Sequence, residues 1–430
     1  MLKQIAFFVV SITLLGACTP KQTLTSSPFV RVENGQFMRN DTPYYYVGTN
    51  FWYGAILGSE GEGGDRQRLH KELDFLKSIG VDNLRILVGS DGNRGVTAKV
   101  EPTLQMAPGV YNDTILAGLD YLLAEMSKRK MLAVLYLNNS WEWSGGYGQY
   151  LEWAGYGKAP VPAVDGWPAY MEYVKQFQQS DSAKVLFANY VNDMVSRVNR
   201  YTNIKYVDDP TIMSWQVGNE PRAFSDENKI LFAAWIAQVA AQLKSLDRNH
   251  LVSTGSEGMW GCEQDMALFE QIHADPNVDY MNIHIWPYNW GWAPKDSLQE
   301  KLETAKVKTK AYIDDHLVVA REYRKPLVLE EFGFPRDGFQ FSKESTTGAR
   351  DAYYSYVFDL ISDKDASGGL FAGCNFWAWG GFATPSSEHV FWQKGDDYTG
   401  DPAQEEQGLN SVFATDSTVD IVKAASVKLK

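Results

Sequence analysis

Trp215-Gln216-Val217-Gly218-Asn219-Glu220-Pro221-Arg222 follows an apolar-rich run, Thr211-Ile212-Met213-Ser214. It precedes Ser225 to Leu243, which has the spacing of an amphipathic helix. The reading is strand, short loop, helix, with Glu220 where the strand gives way. A carboxylate there is presented at the rim of a sheet rather than inside it. Alone, Asn-Glu-Pro reads equally well as an exposed turn. A second stretch shifts the balance: Leu327-Val328-Leu329-Glu330-Glu331-Phe332-Gly333 is another apolar strand that ends in carboxylates.

Working outward, the same rhythm fills the chain. Strands are predicted at Pro43 to Asn50, Asn83 to Val88, Met131 to Leu137, Thr211 to Val217, His250 to Thr254, Asp279 to Ile285, Pro326 to Glu331 and Gly369 to Trp377. Helices are predicted between them: from Asp65 to Gly80, Asn112 to Arg129, Asp181 to about Tyr201, Ser225 onward, Gln264 to His273, Asp296 to Tyr323 and Lys343 to Ser362. A last helix starts at Ser417, and Asn138 to Gln179 reads as a long Trp-, Gly- and Tyr-rich loop. The strands are near-continuously apolar, as expected when both faces are covered. This alternation predicts a single (β/α)8 TIM barrel over residues 28–430, with long loops on its C-terminal face. A doubly wound open sheet is the alternative. No Gly-rich phosphate loop follows the first strand, which argues against a nucleotide-binding version.

The composition fits a large core: 430 residues, 44% hydrophobic and 22% charged. The formal net charge of −13, without basic runs, argues against nucleic acid and anionic membrane surfaces as partners. A neutral substrate is compatible with it. Many of the 14 Trp fall in polar, Gly-rich stretches, which suggests a wall for stacking.

Residues 1–17 read as a signal segment. Lys3 carries the positive charge, and Ile5 to Leu15 is too short for a permanent membrane helix. Leu15-Gly16-Ala17-Cys18 resembles a bacterial lipobox, which implies a lipidated Cys18, a polar tether over 18–27 and an exported lipoprotein of the outer membrane. Its periplasmic or cell-surface side stays open, and an ordinary signal peptide cleaved nearby is the alternative. Cys262 and Cys374 either pair or stay free, and Cys374 falls in a core strand, which suits a small buried thiol. Their spacing is no metal signature, and no cofactor is expected.

In a barrel the strand ends converge on one pocket. Here they bring Trp52, Arg85, Asn138, Trp141, Asn219, Glu220, His284, Trp286, Glu330, Glu331 and Trp377. Taken singly, Arg85 could bridge a structural carboxylate, and His284 and Trp377 could be core. Together they suit glycoside cleavage, which needs one carboxyl kept protonated for the leaving oxygen and one kept ionised. Arg85 could secure the ionised one, Asn219 could bond a sugar 2-OH, and the indoles offer flat faces to sugar C–H groups.

These residues resemble glycoside hydrolase family 5, over nearly everything after the tether. Asn219-Glu220-Pro221 is similar to that family's acid/base motif and Glu331-Phe332-Gly333 to its nucleophile motif. The resemblance implies Glu220 as acid/base and Glu331 as nucleophile. Strand alternation then predicts Glu330 turned away, so that its removal is mild. Arg85, His284 and Trp377 match the family's strand-two arginine, strand-six histidine and strand-eight tryptophan. Val47 to Trp52, Trp215 to Arg222 and Gly408 to Phe413 are most like the endo-β-1,4-mannanases, which implies a mannan-type polysaccharide substrate and a monomer. One departure is Trp286, where many members place a Tyr bonded to the nucleophile. Tyr288 is the candidate replacement. Alternatives are a related β-glucanase or exo-glycosidase, and a non-catalytic glycan-binding lipoprotein, against which the carboxylate pair argues.

Overall fold

The computed structural model describes residues 27–92 and 95–429. The expected signal segment and Cys18 lie outside the described residues, as does nearly all of the tether. Among the described residues no helix is long and apolar enough to cross a membrane.

Eight parallel strands form one sheet: β1 (Tyr46–Asn50), β2 (Asn83–Leu87), β3 (Leu132–Tyr136), β4 (Ile212–Gln216), β5 (Leu251–Ser253), β6 (Met281–Ile285), β7 (Leu327–Phe332) and β8 (Phe371–Phe376). Their spatial order is 5-4-3-2-1-8-7-6, so chain neighbours are sheet neighbours. That order curls into a barrel; a doubly wound sheet would reverse direction midway. The seam between β5 and β6 is bridged by Asp279, whose N–H donates to the Val252 carbonyl at 2.8 Å and whose Oδ2 accepts from Val252 N at 2.6 Å. Asn282 Oδ1 accepts from Gly255 N across the same seam at 2.8 Å.

The outer layer comprises α1 (Arg66–Ser78), α2 (Asp113–Lys128), α3 (Asp181–Val195), α4 (Lys229–Leu246), α5 (Met266–Ala274), α6 (Leu302–Tyr323), α7 (Gly348–Ser362) and α8 (Thr418–Leu429). Side-chain caps start several of them: Asp65 accepts from Arg68 N, and Asp265 from Ala267 N and Leu268 N. Three sequence readings shift. Helix α3 is capped by Ser180 and ends at Val195 rather than near Tyr201. A single 3-10 turn, Asp226–Asn228, precedes α4. The stretch read as a long loop after β3 holds short helices Gly146–Trp153, Pro162–Asp165 and Trp167–Val174. These are too short for apolar periodicity to reveal.

The barrel interior is graded. Its lower layer is apolar, with Tyr46, Val134, Met213, Val328 and Ala372 packed together. An antiparallel flap, Arg31–Glu33, Gln36–Arg39 and Thr42–Pro43, closes that end. Its Phe37 ring lies 5.2 Å from Tyr280, edge to face. Toward the strand C-termini the interior turns polar, with Asn50, Arg85, Gln216, Glu330 and Asn375 fully buried.

The segment after β8 is pinned over the upper rim by two buried arginines. Arg350 donates to the carbonyls of Phe334, Leu409 and Ser411 at 2.5–2.9 Å. Arg336 donates to the Gly408 carbonyl at 2.9 Å and to Asp416 Oδ2 at 2.6 Å. Asp416 is the carboxylate that balances both cations, lying 3.7 Å from Arg350. Replacing Asp416 by Ala leaves buried charge unpaired, so it should cost about 3–5 kcal/mol of stability. A denaturant midpoint equal to wild type would refute this.

Candidate active site

Glu220 leaves β4 through a loop held on both sides. Asn219 N donates to the Asn138 carbonyl at 2.8 Å, and Glu220 N to the Gly255 carbonyl at 2.9 Å. Glu220 itself has φ of 50°, a left-handed conformation that costs a non-glycine residue and persists only where surroundings enforce it. Gly255 makes that close approach possible: a Cβ there would lie 1.9 Å from the Gly218 carbonyl oxygen.

Glu331 arrives from β7 by a different device. In the β6–β7 register Ile283 lies opposite Leu329, but His284 lies opposite Glu331, so Glu330 is an extra residue. This bulge cancels the alternation expected from sequence and lets both glutamates face inward at different depths. Glu331 lines the cavity at the rim. Glu330 lies below it, fully buried, accepting from Gln216 Nε2 at 2.5 Å and Tyr280 OH at 3.3 Å. It is therefore not turned away from the site.

The Arg85 guanidinium, fully buried, joins these parts. Nη1 donates to Glu331 Oε1 at 2.5 Å and to Asn50 Oδ1 at 3.1 Å. Nη2 donates to Asn219 Oδ1 at 2.9 Å, and Nε to Gln216 Oε1 at 2.8 Å. The guanidinium also lies over the Tyr136 ring, 4.4 Å from its centre.

Glu220, His284 and Glu331 form one cluster, each offering an atom within 4.8 Å of the others. His284 Nδ1 is 2.8 Å from Glu220 Oε1 and 3.4 Å from Glu331 Oε2. The geometry could hold a metal ion, but Arg85 already supplies the trio with a cation, and a second would face repulsion. Burial raises both carboxyls above the usual range; Arg222 opposes this at Glu220 and Arg85 at Glu331, while Glu220 adds to the rise at Glu331. Two carboxyls this close in a dry site cannot both ionise, so they titrate as a pair. The charge belongs on Glu331, which has the direct bond from Arg85. Burial, with Arg85 and Arg222 nearby, pushes His284 well below its ordinary value, so the ring is neutral.

Glu220 faces a donor of its own. The Trp141 indole donates to Glu220 Oε2, and Trp286 lines the same cavity. Trp286 meets Trp377 edge-on, ring centres 6.1 Å apart, while the nucleophile-motif glutamate is held by Arg85. Tyr288 packs on Phe339, ring centres 4.9 Å apart. A Cβ on Gly333 would fall 2.7 Å from the Trp286 ring, which explains glycine after Phe332.

Of the residues expected at the site, Trp141, Asn219, Glu220, Trp286, Glu331 and Trp377 line one cavity of about 530 Å3. Arg85 and His284 sit behind the carboxyls. Two are displaced from the lining. Trp52 is a backing residue, its indole donating to the Gly400 carbonyl at 2.9 Å and its ring meeting Trp143 edge-on at 6.2 Å. Asn138 is buried, its Oδ1 accepting from Asn139 N at 2.7 Å, and it shapes the loop under Asn219. The sequence reading missed Arg222, Glu257, Trp260, Trp290 and Glu405. Arg222 Nε donates to Glu257 Oε2 at 2.7 Å, and its guanidinium lies 5.1 Å from the Trp141 ring centre. Arg222 was within the quoted motif; Glu257 has no local pattern, since only the fold brings the β5 loop beside β4. Cys262 and Cys374 are both free and buried.

A family model described as "GH family 5 beta-mannosidase-like" matches residues 27–430. Mannan endo-1,4-beta-mannosidase 7 of Arabidopsis thaliana is 32% identical over 367 residues, covering 82% of this chain and 78% of the relative. Mannan endo-1,4-beta-mannosidase 1 of Oryza sativa subsp. japonica is 29% identical, covering 81% and 78%. The crystal structure of a glycoside hydrolase family 5 mannosidase from Rhizomucor miehei superposes with a TM-score of 0.85 at 32% identity, covering 94% of this chain and 97% of that one. A mutant of it in complex with mannosyl-fructose gives 0.86 at 31%, with the same coverage. The likeness runs through nearly all of the described chain, and the protein belongs to glycoside hydrolase family 5, among its β-mannosidase-like members, as a glycoside hydrolase.

Proposed function

We propose that this enzyme cleaves internal β-1,4-mannosidic bonds of mannan, glucomannan or galactomannan with retention of anomeric configuration, Glu331 acting as nucleophile and Glu220 as acid/base. The observation that carries the reading is the pair itself: two carboxyl groups with atoms within 4.8 Å and unequal surroundings, one on Arg85 and one on the Trp141 indole. Retaining enzymes hold their carboxyls about 5–5.5 Å apart, because one must reach the anomeric carbon directly; inverting enzymes leave room for water. Glu331, ionised on Arg85, attacks the anomeric carbon as Glu220 gives its proton to the leaving oxygen. Glu220, now ionised, takes a proton from water, which displaces Glu331 from the same face the leaving group occupied. Mannan-type substrates are suggested by the names of the relatives and the mannosyl-fructose complex of the Rhizomucor miehei mutant.

One observation favours a second reading, release of units from a chain end. Gln404, Glu405 and Glu406, on the segment after β8, line the cavity together with Trp377. Carboxylates closing one side of a cleft would suit a terminal sugar. The first products from mannohexaose separate the readings: mixed sizes support internal cleavage, and mannose alone from the start supports the second.

Glu220→Ala and Glu331→Ala should each lower kcat about 10²- to 10⁴-fold. With an aryl mannoside bearing a good leaving group, azide should rescue Glu220→Ala as β-mannosyl azide and Glu331→Ala as α-mannosyl azide. Inverted product from the wild type would overturn the mechanism.

Trp141→Phe removes a donor that favours ionised Glu220, so the Glu220 carboxyl should hold its proton to higher pH. The basic limb of kcat/KM should move upward; a limb unmoved or lowered refutes the assignment.

Trp377→Ala should lower kcat/KM per folded molecule, since this indole lines the cavity, and should also lower Tm, since the side chain is only 3% exposed. Trp52→Ala, behind the lining, should lower Tm with little change in kcat/KM per folded molecule. The opposite pattern would reverse the two roles.

A further inference from the structure

The first glutamate of the β7 pair, Glu330, has no part in the steps above, yet it is buried within the same polar layer. We propose that Glu330 is a positioning residue: it orients the Arg85 guanidinium through Gln216 and so fixes the rotamer and charge of Glu331. The proposal rests on the reading of Glu331 as nucleophile.

The geometry is a short relay. Gln216 Nε2 donates to Glu330 Oε2 at 2.5 Å. With its amide turned that way, Gln216 Oε1 must face the opposite direction, where Arg85 Nε donates to it at 2.8 Å. A glutamine amide has one acceptor and one donor end. Glu330 therefore decides which end meets the arginine. Ser253 Oγ, 2.9 Å from Gln216 Nε2, reinforces the same orientation. If the amide reversed, its NH2 would point at the guanidinium, two donors would face each other, and Arg85 would be pushed off Glu331 and Asn219. Glu330 Oε2 also lies 3.8 Å from Arg85 Nε, but burial raises this carboxyl to about 7 against the pull of Arg85, so the hydrogen-bond relay rather than a fixed charge aims the guanidinium. Asn50 completes the frame: its Nδ2 donates to the Glu330 carbonyl at 2.8 Å while its Oδ1 accepts from Arg85 at 3.1 Å.

The bulge at Glu330 belongs to this arrangement. Without the extra residue, strand alternation would send either Glu330 or Glu331 outward into the helical layer. One strand thus supplies both the group that reacts and the group that aims its cation. The site's other ionisable residues, Glu220, His284 and Glu257, face Glu331 from above. Around Glu330 the neighbours are Arg85, Tyr280 and Tyr46.

The test uses Glu330→Ala, Glu330→Gln, Gln216→Ala and the double alanine variant. Active sites are counted by labelling with a 2-deoxy-2-fluoro mannoside, so that misfolded molecules drop out. Glu330→Ala should lower kcat per labelled site about 10- to 100-fold with KM little changed, because misplacing a reacting group by about 1 Å has that effect. Gln216→Ala should show a loss of similar size, and the double variant little more than either alone, as members of one relay are not additive. Glu330→Gln keeps an acceptor for Gln216 and should recover most of the lost kcat. The idea is overturned if Glu330→Ala lowers Tm while kcat per labelled site stays at the wild-type value. It is also overturned if the two alanine losses multiply, or if Glu330→Gln is as poor as Glu330→Ala. Should Glu330→Ala fail to fold, the Glu330→Gln and Gln216→Ala values decide by the same criteria. Peptide mapping of the label separates this from the underlying reading: label on any residue other than Glu331 removes the nucleophile assignment, whatever the relay variants do.

Discussion

The structure of the site depends on one ion, the buried guanidinium of Arg85. A charge without water must be paired and fully hydrogen-bonded, or the fold loses several kcal/mol. Arg85 meets that demand by drawing partners from the ends of several strands: Asn50 from β1, Gln216 and Asn219 from β4 and the loop after it, and Glu331 from β7. The requirement that keeps the barrel interior satisfied is thus the same one that fixes the reacting carboxyl. It also divides the two carboxyls by environment. Glu331 has a cation at bonding distance, whereas Glu220 has the Trp141 indole and a neutral imidazole. Identical side chains acquire opposite roles because their surroundings stabilise opposite protonation states.

The barrel tolerates this polar layer because its lower half is ordinary core. Tyr46, Val134, Met213, Val328 and Ala372 fill the interior beneath it, and the N-terminal flap seals that end. Local irregularities concentrate at the upper rim: a left-handed Glu220, a glycine forced by contact at Gly255, and the bulge at Glu330. Each would be unfavourable in an isolated segment. The rigid sheet below holds them, and each re-aims a group toward the cavity. The buried arginines Arg336 and Arg350 do the corresponding task outside the sheet, tying the segment after β8 to the rim.

The sequence by itself determined the barrel, because near-continuous apolar strands alternating with amphipathic helices have few other ways to cover both faces of a sheet. It also determined that Glu220 and Glu331 end strands, since those motifs are local. Tertiary structure decided what depends on register and on residues far apart in the chain. Period-two alternation placed Glu330 outside the site, but the bulge opposite His284 brings it in, and no local pattern announces one extra residue. Trp52 and Trp377 both end strands, yet Trp143 stands in front of the first, while the second lines the cavity. Arg222 pairs with Glu257 only because the loops after β4 and β5 are neighbours at the rim. Strand identity follows from the chemistry of consecutive residues. Which side chains meet follows from packing of segments up to hundreds of residues apart, and that was settled only when the sheet closed.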